Sequence, residues 1–408
     1  MKKRKLKEIK RTFTQIRNID DFKNFLVKKL EIGENSLCFC GRGKKYKRCC
    51  RDASIDDLLY CKKAFQIDHK YRKSQGILRD YMPRTILKEF QKRILARFAC
   101  LFPHCLNVTI SCHFIPENIL RKNFGGHCKK YEYDDKLDKW LFTDCGVASD
   151  AECYPIFCKF HDNNIFKNID QHEFDPSSQE ELFIISFKAL AFSLRKTQFE
   201  LSIESQFELA RPFYMQKLFN LPNNQVIEID TSKIRKRYLN YVISSDYYKE
   251  ATLAYGRKNW NYFSSFYRKI AYTKQIFYGG FFGLSSDLEG KRINWAKIAV
   301  AMSCYIFTKD NYLHVTPSTP GDQGKISYQP PSKQPEAIDE ETFIAVINNI
   351  LTLSAEKPPI ATSTTFSDEE LQKIPALQKL HAECMLTSST NILDLKNSEQ
   401  SIQFIHKT

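Results

Sequence analysis

The chain has 408 residues, with 62 Lys plus Arg against 47 Asp plus Glu, 42% apolar residues and 13% aromatics. That composition excludes a wholly disordered chain and leaves material for several domains. No run of apolar residues reaches the length of a membrane span. The basic start, MKKRKLKEIKRTFTQ, lacks the apolar stretch of a secretion signal, so the sequence is read as membrane-free and cytoplasmic. In that reducing setting cysteine is a metal ligand more often than a disulfide partner.

The first fifty residues hold 16 Lys or Arg against 5 Asp or Glu, and the next fifty hold 12 against 6. The positive charge therefore belongs to one end, where it would attract a polyanion by counterion release. Residues 2–30 read as a basic helix with an apolar stripe through Phe13, Ile16, Ile19, Phe22, Phe25 and Leu26. Twelve of the 14 cysteines fall between Cys38 and Cys158, which confines metal chemistry to the first 160 residues.

Residues 35–51 read NSLCFCGRGKKYKRCCR. Cys38, Cys40, Cys49 and Cys50 stand in the spacing C-x-C-x8-C-C. Four thiolates converging on one ion make a closed tetrahedral zinc site. Gly41 and Gly43 let the backbone turn tightly around it. The segment resembles the SEC-C motif, a small zinc-binding module. The resemblance implies zinc on the four cysteines and a role in contacting a protein partner, the ribosome or nucleic acid. Arg42, Lys44, Lys45, Lys47 and Arg48 lie between the cysteine pairs and are the candidate nucleic-acid contacts.

After a helical linker over 53–98, the second cluster begins. Cys100 and Cys105 are separated by four residues, and Cys158 and His161 by two. Two such pairs can meet at one tetrahedral zinc, giving two structural zinc sites in all. The second pair opens a helix running through Asn163 to Phe166, and His104 competes with Cys105 for the first position. His127 and Cys128 are a further potential donor pair, while Cys145 and Cys153 have no partner at ligand spacing. Between the pairs, the alternation Val108, Ile110, Cys112 reads as a strand ending at His113, with Pro116 opening a new segment.

The stretch 99–172 resembles the HNH, or ββα-metal, nucleases. On that resemblance Cys100, Cys105, Cys158 and His161 match the structural zinc ligands and His113 matches the general base. Asp162 matches the catalytic-metal ligand at the start of the final helix, where a histidine is usual; a carboxylate there suits Mg²⁺. The resemblance implies an endonuclease that hydrolyses DNA with Mg²⁺ or another divalent ion, in an architecture associated with bacterial phage defence. Cys112 precedes the base where a harder ligand is usual. The rival readings are a non-catalytic, zinc-stabilised nucleic-acid- or ribosome-binding protein, and a protein-interaction adaptor.

Pro176-Ser177-Ser178-Gln179-Glu180-Glu181 is a helix start, with helix expected to about Gln198 and resuming to Glu208; Pro212 and Pro222 bracket a short piece. Residues 231–270 read as mostly helix broken near Gly256, with Ile234, Tyr238, Tyr241, Val242 and Tyr247, then Tyr255, Trp260, Phe263 and Phe266, the aromatics among them read as core. Strands are expected around Gln275–Phe282, interrupted at Gly279-Gly280, with a hairpin turn at Leu288–Lys291. Strands at Ile298–Phe307 and Tyr312–Thr316 follow, joined by a turn at Lys309–Asn311, with Ile326–Tyr328 a fourth. Helices over 339–354 and 369–386 and a polar tail complete the chain.

The fold class expected is therefore α+β and multidomain: small zinc-held modules, a helical middle, and a small antiparallel sheet packed by helices near the C-terminus. The units are a basic arm at 1–34, the SEC-C-like module at 35–52, the linker at 53–98, the HNH-like segment at 99–172, a helical region at 173–272, the sheet at 273–330 and C-terminal helices with the tail at 331–408. The region 173–408 shows no nucleotide loop, triad signature or repeat. It is left with substrate recognition, a protein partner, homo-oligomer formation or sensing.

Overall fold

A computed structural model describes residues 35, 44–48, 98–113, 121, 127–134, 139–146, 153–171, 174–175, 177–218, 231–265, 267–272, 276–284, 301–309, 312–320, 340–341, 343–344, 347, 360–362 and 392–393. The basic arm, the linker up to residue 97, the turn at Leu288–Lys291, the strand at Ile326–Tyr328 and the helix expected over 369–386 lie outside these residues.

Strand β1 (Ser111–His113) pairs antiparallel with β4 (Cys153–Pro155), in the register Ser111↔Pro155, Cys112↔Tyr154 and His113↔Cys153. Helix α1 (Lys159–Gln171) follows β4 after three residues. Between β1 and β4 the chain makes a long hairpin, β2 (His127–Asp134) and β3 (Lys139–Gly146). That hairpin belongs to a different sheet.

The second sheet has nine strands among the described residues. They add β5 (Phe263–Ser265), β6 (Arg268–Ala271), β7 (Ile276–Leu284), β8 (Ala301–Lys309), β9 (Tyr312–Pro320), β10 (Ile360–Thr362) and β11 (Ile392–Leu393). The path runs β3-β2-β10-β7-β8-β9-β5, with β6 on β9 and β11 on β7. All pairs are antiparallel except β11 with β7. The β8–β9 pair closes at Lys309↔Tyr312, matching the turn read from the sequence. Gly279 and Gly280 do not interrupt β7; they pair with Tyr305 and Cys304 of β8. The sheet is antiparallel as expected but larger, because it also takes in the 127–146 hairpin.

Helix α2 (Gln179–Leu218) is longer than the sequence suggested and continues through Pro212. It begins within the predicted start segment 176–181. The Glu181 amide donates to Ser178 Oγ at 3.3 Å, and the Leu182 amide to Ser178 O at 3.0 Å. The Glu181 carboxylate accepts from the Asp175 amide at 2.7 Å, so it closes the preceding turn instead of the cap residue's own amide. From Leu182 to Ala191 every residue is buried. A helix buried all round is covered on more than one side. Here α3 (Thr231–Gly256) packs along one side, with α1, β4 and the large sheet on others.

The core is aromatic. Phe187 stacks on Tyr248 at 5.3 Å, on Tyr255 at 5.9 Å and on Phe183 at 6.0 Å. Phe183 in turn meets Trp260 and Phe263, each at 5.3 Å. The tyrosines and tryptophan of this stretch are thus packing residues, as read from the sequence. Helix α3 stops at Gly256, also as read. Residues 263–265 and 268–270, expected to be helical, lie in strands paired with β9, because they edge the sheet instead of extending the helix pair. Cys100, Cys112, Ile156, Phe157 and Cys158 belong to the same core cluster.

Candidate metal centre

The centre is built from three pieces of chain. The first is the knuckle 99–108. Its ends are tied by the Ala99↔Val108 bridge and by the Cys100 amide donating to Asn107 O at 2.9 Å. Inside it the Cys105 amide donates to Phe102 O at 3.1 Å. His104 takes φ 62°, a left-handed turn that histidine enters more readily than most non-glycine residues. His104 is exposed, so Cys105 and not its neighbour turns inward.

The second piece is the segment 156–158, which lies between the knuckle and β1. Leu101 N–H donates to Ile156 O at 3.0 Å, and Ile110 N–H to Phe157 O at 2.9 Å. The third is the first turn of α1. The Asp162 amide donates to Cys158 O at 2.9 Å, which places Cys158 at the helix entrance and His161 one turn on.

Cys100, Cys105, Cys158 and His161 thereby offer four ligand atoms that all lie within 4.8 Å of one another. Cys105 Sγ is 3.8 Å from Cys158 Sγ. His161 Nδ1 is 3.3 Å from Cys158 Sγ and 3.5 Å from Cys100 Sγ. Zinc held at ~2.3 Å by sulfur and ~2.0–2.1 Å by nitrogen in a tetrahedron spaces its donors ~3.5–3.8 Å apart. These three edges are close to those values, and the Cys105 and Cys158 sulfurs are far beyond disulfide bonding distance. Three soft thiolates and an imidazole form a closed structural set, consistent with zinc.

The surroundings tune these groups. Burial pushes the Cys100 thiol up to about 12, against the lowering effect of backbone groups of Cys158 and Phe102. Burial acts in the same direction on Cys158. There the His161 amide, the Cys105 and Cys100 side chains and the Phe160 amide outweigh it and hold the thiol below the usual cysteine value. A helix entrance is a favourable place for a thiolate. Burial lowers the His161 pKa, favouring the neutral imidazole that ligates metal. The Phe102 ring stacks on that imidazole at 4.2 Å and 16°, and Phe160 meets it edge-on at 5.2 Å.

Two further residues matter that sequence spacing did not single out. Phe102 fixes the plane of the ligand ring. Arg195, in the middle of α2, is 0% exposed and ties the pieces together. Its Nη2 donates to Ala99 O and to Ile156 O, the latter at 3.3 Å, and its Nη1 to Gln198 Oε1 at 3.0 Å. Its guanidinium lies over the Phe98 ring at 4.3 Å. An arginine in the apolar stretch AFSLRK was the only sequence signal for it.

Cys112 is not a ligand of this centre. It is 1% exposed, its Sγ faces Ile110 O and Phe157 O at 3.6 Å each, and it accepts from the Phe157 amide at 3.4 Å. Burial and the neighbouring Asp162 carboxylate push its thiol up to about 12. Asp162 Oδ1 is buried beside that thiol, with no partner at strict hydrogen-bond geometry. His113 ends β1 opposite Cys153 and is half-buried. His127 and Cys128 lie on β2 in the large sheet, and Cys128 is paired with Cys145 in its register.

Cys38, Cys40, Arg42, Cys49 and Cys50 lie outside the described residues. Of the basic stretch, Lys44, Lys45 and Arg48 are exposed and Lys47 is half-buried. Tyr46–Arg48 form a single 3₁₀ turn, closed by the Arg48 amide on Lys45 O at 2.9 Å.

Residues 35–52 match the SEC-C motif, in agreement with the sequence reading. Comparison of the chain with curated proteins and with solved structures finds no match. Nothing in these comparisons speaks for an HNH nuclease segment. Among the described residues, no helix is long and apolar enough to cross a membrane.

Proposed function

We propose that the chain is a zinc-stapled, HNH-like phosphodiesterase acting on DNA, with His113 as general base and Asp162 as ligand of a divalent ion. The observation that carries this reading is the Asp162 carboxylate. Its Oδ1 is buried on the first turn of α1 with no partner at strict hydrogen-bond geometry, and the neutral thiol it adjoins is Cys112, the residue before His113. A buried carboxylate oxygen is costly to leave unpartnered, and a hard cation is one partner that satisfies it. The order of an antiparallel strand pair followed by a helix, with the metal centre bracketing it, supports the same reading.

In this mechanism His113 accepts a proton from water as the water oxygen attacks phosphorus. Asp162 keeps its oxygen in place without donating or accepting that proton. A divalent ion, when bound, would stabilise the scissile phosphate and the leaving 3′ oxygen. The exposed Lys44, Lys45 and Arg48 would contact phosphates and set no sequence preference.

The test is plasmid cleavage in Mg²⁺ or Mn²⁺ by the full chain and by His113→Ala. Losing a general base is expected to cost roughly 10²–10⁴-fold in rate. The zinc content should remain at about two ions per chain, one for each set of four ligands. H113A cutting as fast as the parent would remove the hydrolytic assignment. Salt-sensitive nucleic-acid binding with no cutting by either protein would leave the non-catalytic binding role.

A further inference from the structure

Arg195 poses a charge problem that the protein part alone does not solve. Its side chain is wholly buried, and its described hydrogen-bond partners are Ala99 O, Ile156 O and the Gln198 amide, all neutral. The Phe98 face supplies only a quadrupole. Its Nε has no partner, and among the described residues no carboxylate pairs with the guanidinium. Burial pulls its pKa down only to about 10, so it is a cation at neutral pH. A buried, unpaired cation is among the least favourable features a core can hold.

The same side chain touches the two strands of chain that carry the cysteines. Ala99 directly precedes Cys100, and Ile156 lies two residues before Cys158. A divalent ion bound by three thiolates and a neutral imidazole has a net charge of −1 by simple count. We propose that Arg195 is the countercharge of the Cys100–Cys105–Cys158–His161 centre and positions its two ligand-bearing segments, so that metal binding and the seating of α2 are one event. Without metal the guanidinium is buried among neutral groups. With metal, the ligand set that includes Cys100, whose charge acts on Arg195, carries the opposite sign. The inference needs the metal centre alone and is independent of any hydrolytic activity.

The experiment uses the full chain and a competing chelator, with zinc retention as the readout. The ion of the 35–52 segment serves as an internal reference. Arg195→Gln keeps hydrogen-bond donors and removes the charge; Arg195→Lys keeps the charge and removes the fork. Groups supporting a metal ligand set are commonly worth about 10–100-fold in affinity. R195Q is expected to lose zinc from this centre by that factor, and R195K to recover most of it. R195Q binding as tightly as the parent, or R195K doing no better than R195Q, would overturn the proposal.

A charge swap on the metal side covers the case in which the single variants fold poorly. Cys105→His makes the ligand set neutral. The double variant C105H/R195Q is then matched again and should retain zinc better than either single variant. A double variant no better than both singles would also overturn the proposal.

Discussion

Replacing Cys158 by serine tests the metal centre most directly. Cys158 shares one tetrahedral edge of 3.8 Å with Cys105 and another of 3.3 Å with His161, and it sits at the entrance of α1. Structural zinc sites of this kind bind with about 10–16 kcal/mol at neutral pH. An equal share among four ligands is about 2.5–4 kcal/mol, or roughly a 10²–10³-fold loss of affinity. Such a loss is a large part of a domain stability of about 5–15 kcal/mol. Because the core around Phe157 and Phe166 is continuous with the ligands, lower affinity should also lower the melting temperature. The measurement is metal content after dialysis against chelator, together with melting at several free-zinc concentrations. About one ion per chain should be lost, and the zinc dependence of the remaining transition should weaken. Full metal content with unchanged melting would refute the idea that the 3.3–3.8 Å spacings mark a metal site.

Phe187→Ala removes the ring at the centre of the aromatic stack between α2 and α3, and should cost about 3–5 kcal/mol in chemical denaturation; a loss below about 1 kcal/mol would contradict the packing. Ser177→Ala addresses the turn before α2, where the Ser177 hydroxyl and amide donate to Asp175 Oδ1 at 2.7 and 2.9 Å. The hydroxyl first, then the amide, holds the Asp175 carboxyl below the usual aspartate range. A carboxyl lowered by folding stabilises the protein above its unfolded pKa of about 3.9, and that contribution is lost as pH falls through the folded value. The parent should therefore be the more stable at pH 7, and the two proteins should converge in acid; a difference independent of pH would show that this carboxyl is not the group involved.

Much of the site was legible because chelation and capping are local. Two ligands four or three residues apart close a short loop on one ion, so Cys100, Cys105, Cys158 and His161 could be paired from spacing alone. The start of α2 was readable from the segment 176–181, since a cap satisfies amides within one turn, and the structure gives that role to Ser178. Gly256 marked the end of α3 for a similarly local reason. The SEC-C segment needed only its cysteine and glycine spacing.

Tertiary structure decided the rest. The hairpin of β2 and β3 leaves the β1–β4 pair and joins β10 and β7, and a strand's alternation does not name its distant partner. The Leu182–Ala191 stretch of α2 is buried on every side only because α3, α1 and the sheet are all in place around it. Cys112 looked like a neighbour of chemistry and is a core thiol, because the 156–157 backbone closes over it. Arg195 gains its meaning from two carbonyls almost a hundred and about forty residues away. Sequence fixes which groups can act within a turn or a short loop, whereas burial and opposing charge depend on which segments the chain finally brings together.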